Sequence, residues 1–164
     1  MKYYNKLCEA ICKVIMAICA VLALVLLISS FLQVFSRYVI GNAITWTDEC
    51  ARYCYIWLDI LGAAVLVYQG GHAVVDLLSK KLKGPAKKIY DSFCYVVLGY
   101  MGVIFAVFGY KLCQVTIAQK SPALKLPMGL VYGVLPICGV LIGLFTVNRV
   151  LNLWIQSKKE EEKV

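Results

Sequence analysis

Acidic residues are scarce in this sequence, nine Asp and Glu against 17 Lys and Arg, and there is a single histidine, His72. One histidine cannot assemble a metal centre of the usual imidazole-rich kind, and it stands at the edge of an apolar run rather than inside one, where an axial haem ligand would have to be. The eight cysteines, at 8, 12, 19, 50, 54, 94, 113 and 138, contain no C-x-x-C pair and are spread over every apolar segment. They offer neither zinc spacing nor a dithiol redox motif. Cys50 and Cys54 lie one helical turn apart, where side chains are poorly placed for a disulfide, so free thiols acting as small apolar residues are expected. A nucleophile elbow, a phosphate-binding glycine loop and paired catalytic carboxylates are also missing. These absences argue against an enzyme and imply neither a metal nor a cofactor.

What is abundant is apolar surface. Of 164 residues 62% are hydrophobic, with a mean hydropathy of +0.78, far outside the range of globular proteins. The net charge of +8 would suggest nucleic acid in a soluble protein. Here the lysines cluster between apolar runs and at the ends, where they act as topology signals and contacts for anionic lipid, and no nucleic-acid partner is implied.

The pattern predicts an all-α integral membrane protein of four transmembrane helices, spanning approximately 14–36, 46–71, 92–110 and 127–148, with a charged tail over 158–164. Residues 1 to 13 place apolar and aromatic groups at helical spacing among Lys2, Lys6 and Lys13, which fits a short amphipathic amino-terminal helix running into the first span. That span has no A-x-A cleavage pattern and reads as an uncleaved anchor. Gly41-Asn42 turns the chain, and Thr45 with Asp48 forms an S/T-x-x-D pattern at the start of the second span. Gly99, Gly102 and Gly109 on the third span, and the pairs Gly129/Gly133 and Gly139/Gly143 on the fourth, predict closely packed helices. Pro127 starts the fourth helix after a short elbow over 121–129, and Pro136 predicts a kink. Lys and Arg divide twelve to five between the two sides, the richer side holding both termini and the 77–92 loop, which predicts an N-in/C-in orientation.

Ionisable groups in or beside the second span are the candidates for function. Asp59 falls near its middle, where an unpaired carboxylate costs roughly 2.5 to 3.5 kcal/mol on insertion scales. It is expected either as a buried polar group, protonated or satisfied by Tyr, Ser or Arg on a neighbouring helix or partner, or as a proton or cation site. Arg52 stands four residues after Asp48 and three after Glu49, so a pair with either is within reach, and the alternative is a contact with a partner subunit or lipid headgroup. His72 and Asp76, one turn apart at the far end, suit a helix-end hydrogen bond or a docking contact better than catalysis.

Arg37-Tyr38, Trp46 with Glu49 and Arg52, Trp57 with Leu61-Gly62-Ala63, His72 with Val75-Asp76, and Ser121-Pro122-Ala123-Leu124 with Pro127-Met128-Gly129, Tyr132 and Pro136 occur in an order that resembles one family. That family is the small, DctQ-type membrane subunit of tripartite ATP-independent periplasmic (TRAP) transporters, and the resemblance covers about residues 31 to 145. It implies a multi-pass protein of the bacterial inner membrane that binds a large membrane subunit. The large subunit would carry the substrate and sodium sites and move as an elevator, and a periplasmic substrate-binding protein would deliver an organic acid to it. The small subunit would brace the large one as a scaffold. By the same carry-over Arg37, Trp46, Glu49, Arg52, His72, Asp76, Ser121, Pro122 and Pro127 are expected at partner or lipid contacts. Asp59 departs from the apolar character of its position in the family and receives no role from it. Two rival readings are a self-sufficient small oligomeric transporter using Asp59 as its coupling carboxylate, and a quinone-linked membrane thiol oxidoreductase; the second needs cysteine pairs in periplasmic loops, whereas Cys50 and Cys54 lie at or within the helix and the 111–126 connection has only Cys113.

Overall fold

The computed structural model describes residues 2–42, 44–69 and 85–161. Their helices are α1 (Lys2–Phe35), a π-helical turn (Ser36–Ile40), α2 (Thr45–Gln69), α3 (Pro85–Thr116), the single-turn α4 (Met128–Tyr132) and α5 (Val134–Glu161). Four stretches among the described residues, Tyr3–Ile40, Thr45–Gln69, Ser92–Thr116 and Met128–Leu151, are long and apolar enough to cross a membrane. The chain is an all-α, multi-pass membrane protein.

The amphipathic amino-terminal segment enters the first span without a break, because α1 is one helix from Lys2 onward. Its inward face follows a strict four-three alternation: Cys8, Cys12, Ile15, Cys19, Leu22, Leu26, Ser29, Gln33 and Ser36 are buried or half-buried. Such a 3.5-residue period keeps one seam against a neighbour along the whole helix. The seam is made largely of cysteine and serine, whose small side chains allow close backbone approach where lipid supplies no hydrophobic drive for association. Val21, Leu24, Leu27, Ile28 and Phe31 occupy the opposite, exposed face.

The long helices form a row rather than a ring. α1 packs on α2, α2 on α5, and α5 on α3, with a smaller α1–α5 contact and none between α1 and α3. α2 and α5 therefore supply the core, with Leu61, Ala64, Val65 and Val67 meeting Val134, Cys138, Ile142 and Phe145. Two side chains pin α2 to the far half of the chain: Trp57 Nε1 donates to the Val131 carbonyl at 3.1 Å, and the Cys138 thiol to the Ile60 carbonyl at 3.1 Å. All eight cysteines are free.

Glycine decides how near α3 and α5 come. A Cβ on Gly139 would stand 2.4 Å from the Ala106 amide nitrogen and 2.6 Å from the Gly102 carbonyl, and one on Gly109 would meet Leu135 and Pro136 at 2.8 and 3.0 Å. The third-span glycines thus face a helix as expected, whereas Gly143, paired with Gly139 in the sequence pattern, faces open space. The break in the fourth span falls between α4 and α5 at Gly133, one turn before Pro136. Proline has no amide hydrogen for the carbonyl four residues back, here Tyr132, so the ladder opens there.

Candidate functional site

At the end of the row where α1 meets α2, the π-helical turn closes on Gly41, whose φ of 74° is the left-handed conformation that glycine adopts most readily. Ser36, buried in this turn, donates through Oγ to the Gln33 carbonyl and receives the Ile44 amide. Thr45 does not form the expected capping pair with Asp48. The Asp48 carboxylate is taken by Gln33 Nε2 at 3.0 Å and Arg52 at 2.8 Å, and the threonine that closes the helix start is Thr47, whose hydroxyl donates to the Ile44 carbonyl at 2.7 Å. Asp48 also lies in the first turn of α2, where a negative charge suits the helix dipole.

Glu49 points elsewhere. Expected at a partner or lipid contact or paired with Arg52, it is instead buried in the chain, with one carboxylate oxygen accepting from the Ala123 amide and the other from the Leu124 amide, each at 2.9 Å. Such charge-assisted bonds are about twice as strong as neutral ones, and here they anchor the elbow on α2. The elbow closes on itself as well. Ser121 N donates to the Leu126 carbonyl at 2.9 Å, Met128 N to the Gln119 carbonyl at 2.8 Å, and the Leu126 amide to Ser121 Oγ at 3.2 Å. Lys125 turns with a φ of 56°, uncommon for a residue with a Cβ. Beneath it Gly129 lies so near α3 that a Cβ would come within 2.8 Å of the Cys113 carbonyl. Ser121 is buried and Pro127 half-buried as the residue preceding α4, while Arg37, Trp46, Arg52 and Pro122 are exposed.

The opposite end ties the start of α1 and the end of α2 to α5. Tyr4 donates to the Leu144 carbonyl at 3.1 Å, Asn148 to the Asn5 side chain at 2.8 Å, and Arg149 Nε to the Tyr68 carbonyl at 2.8 Å, with the guanidinium over the Tyr68 ring. Asn5, Tyr68, Asn148 and Arg149, with Lys6, Glu9 and Gln69, border an open cleft of about 420 Å³. Sequence reasoning missed them, and missed Gln33 and Ser36 too. For Gln33 and Ser36 the available signal was a polar side chain at a seam position of the uncharged first span. His72 and Asp76 lie outside the described residues.

Asp59 occupies neither end. It stands fourteen residues after Thr45 and ten before Gln69, about 21 and about 15 Å along the axis, and its side chain is exposed on the α1–α2 face. Within the isolated chain, then, the carboxyl is not buried by a neighbouring helix among the described residues. Its position on the helix turns it away from α5, and no hydrogen bond or ion pair joins it to the described residues. Also among the described residues, no group of three or more His, Cys, Asp or Glu could hold a metal ion.

The family described as "Tripartite ATP-independent periplasmic transporters, DctQ component" matches residues 26–156, which takes in the α1–α2 turn, the elbow and Asp59. The chain belongs to the DctQ family. A TRAP transporter small permease protein of Haemophilus influenzae is 30% identical over 158 residues, 92% of this chain and 89% of that protein. The C4-dicarboxylate TRAP transporter small permease protein of Rhodobacter capsulatus is 30% identical over 104 residues, 58% of this chain and 43% of its own. The isethionate TRAP transporter permease protein DctMQ of Oleidesulfovibrio alaskensis is 30% identical over 115 residues, 68% of this chain but 17% of that much longer protein. This DctQ-type chain is accordingly a TRAP small permease subunit, and its family is one of transporters rather than enzymes.

Proposed function

We propose that this subunit is a non-catalytic scaffold, bracing a large elevator-type membrane subunit in the bacterial inner membrane during sodium-driven uptake of an organic acid. A periplasmic binding protein delivers the solute. Both termini face the cytoplasm, and the end that carries the elbow faces the periplasm, in keeping with the lysine-rich side of the sequence. One observation supports the scaffold role above the others. Glu49, the one charged side chain among the described residues that is buried, has both oxygens occupied by elbow amides, so no buried charge among those residues is left free to hold an ion or solute.

The exposed Arg37, Trp46, Arg52 and Pro122 are the contacts we assign to the partner subunit, the binding protein or lipid headgroups at the periplasmic end. His72 and Asp76 are assigned on the resemblance alone. Purified and placed in liposomes without a large subunit, the protein is expected to move no solute, and sodium-dependent uptake by the small subunit alone would overturn the proposal. Arg52→Ala is expected to insert in the membrane normally and to weaken co-purification or transport. Normal pairing and transport would reduce Arg52 to a surface anchor.

A further inference from the structure

The Asp59 carboxylate opens onto a groove of about 450 Å³ between α1 and α2, walled by Met16, Cys19, Leu58, Gly62, Ala63 and Leu66. Apart from the carboxylate the walls are apolar or small. Gly62 and Ala63 follow Asp59 by three and four residues and so stand beside it on the same helix face, and a Cβ on Gly62 would meet nothing within 4 Å. A carboxylate flanked by small residues at membrane depth leaves room for another backbone to come close.

We infer that this groove seats one transmembrane helix of the large permease subunit, which presents a hydrogen-bond donor or cationic side chain to Asp59. The inference rests on the scaffold reading above and locates its contact at mid-membrane. Chemistry selects the occupant. Hydrocarbon at this depth has no donor for a carboxylate, so lipid tails leave Asp59 unsatisfied. A soluble protein cannot reach a group about 15 Å from the nearer helix end. A second copy using the same face through a two-fold axis would oppose like carboxylates. A membrane helix from another chain meets both demands, apolar contact along the walls and a polar partner at one point. The match to DctMQ, in which a segment similar to this chain makes up 17% of a larger permease polypeptide, agrees with a membrane partner of greater size.

The test uses the small subunit co-expressed with its large subunit. Asp59→Leu is expected to lower the amount of large subunit retained on the tagged small subunit by about tenfold or more, and Asp59→Asn, which keeps one accepting oxygen, by about threefold. Gly62→Trp fills the groove and is expected to act like Asp59→Leu. A photoreactive side chain replacing the exposed Leu66 is expected to cross-link to the large subunit, whereas one replacing Val103 on the outer face of α3 is not. Normal retention in both Asp59→Leu and Gly62→Trp would overturn the inference, as would adducts at position 66 only with lipid or with a second copy. These results are read where the unmodified chain does retain the large subunit. Failure of the unmodified chain to do so would instead sink the scaffold reading.

Discussion

Glu49 and Asp59 are two carboxylates on the same helix, ten residues apart, with opposite surroundings. Ten residues at about 100° each bring them to faces roughly 80° apart, enough to turn one toward the elbow and the other out of the chain. Glu49 ends against two backbone amides and holds the 121–126 loop. Asp59 ends in an apolar groove with no partner among the described residues. The difference separates two uses of a charge in a membrane protein. One is consumed in building the subunit. The other is left for something outside it.

The comparison is most severely tested beneath the elbow. Gly129→Leu places a side chain against the α3 backbone, with the first carbon already 2.8 Å from the Cys113 carbonyl, so overpacking of about 3 kcal/mol or more is expected. Thermal unfolding of the purified subunit in detergent reads it, and an unchanged midpoint would mean that the elbow is not seated as described. Glu49→Ala strips two elbow amides of their acceptor and should lower the unfolding midpoint by roughly 5 °C, with faster proteolysis in the 119–128 segment. Glu49→Gln, which keeps one accepting oxygen, should fall between alanine and the parent. Equal midpoints for all three would place Glu49 in the same class as Asp59.

Smaller effects sharpen the other half. Arg52→Ala removes an exposed i,i+4 pair with Asp48, and the isolated subunit should lose only about 0.3–0.5 kcal/mol, since water and salt screen such pairs. Measured in high salt, the difference should shrink further. Asp59→Leu should leave the midpoint of the isolated subunit within about 1 °C or raise it, because no hydrogen bond or ion pair joins the carboxylate to the described residues. A large loss in the isolated subunit would mean that Asp59 has an internal role after all.

Much of the architecture was legible from residue order. Apolar runs of membrane length, three of them uncharged, marked the four spans, Gly41-Asn42 marked a turn, and the glycines at 102, 109 and 139 announced a close helix contact. The ordered motifs also carried the family. Side-chain direction was less legible. Thr45 and Asp48 matched a capping pattern, yet Gln33 from the preceding helix and Arg52 from the next turn claimed the carboxylate. Arg52 had two acids within reach, and the choice between them depended on an elbow 70 residues further along the chain.

The sequence by itself determined that this is a membrane protein of four apolar spans in the DctQ pattern, because length and hydropathy are local properties that a bilayer reads directly. Only the tertiary structure decided that the helices stand in a row and that Glu49 is spent on an elbow while Asp59 faces outward. Those outcomes depend on contacts between residues far apart in the chain. A helix turns its side chains through a full circle every 3.6 residues, and which part of that circle is inside is set by the neighbours that arrive.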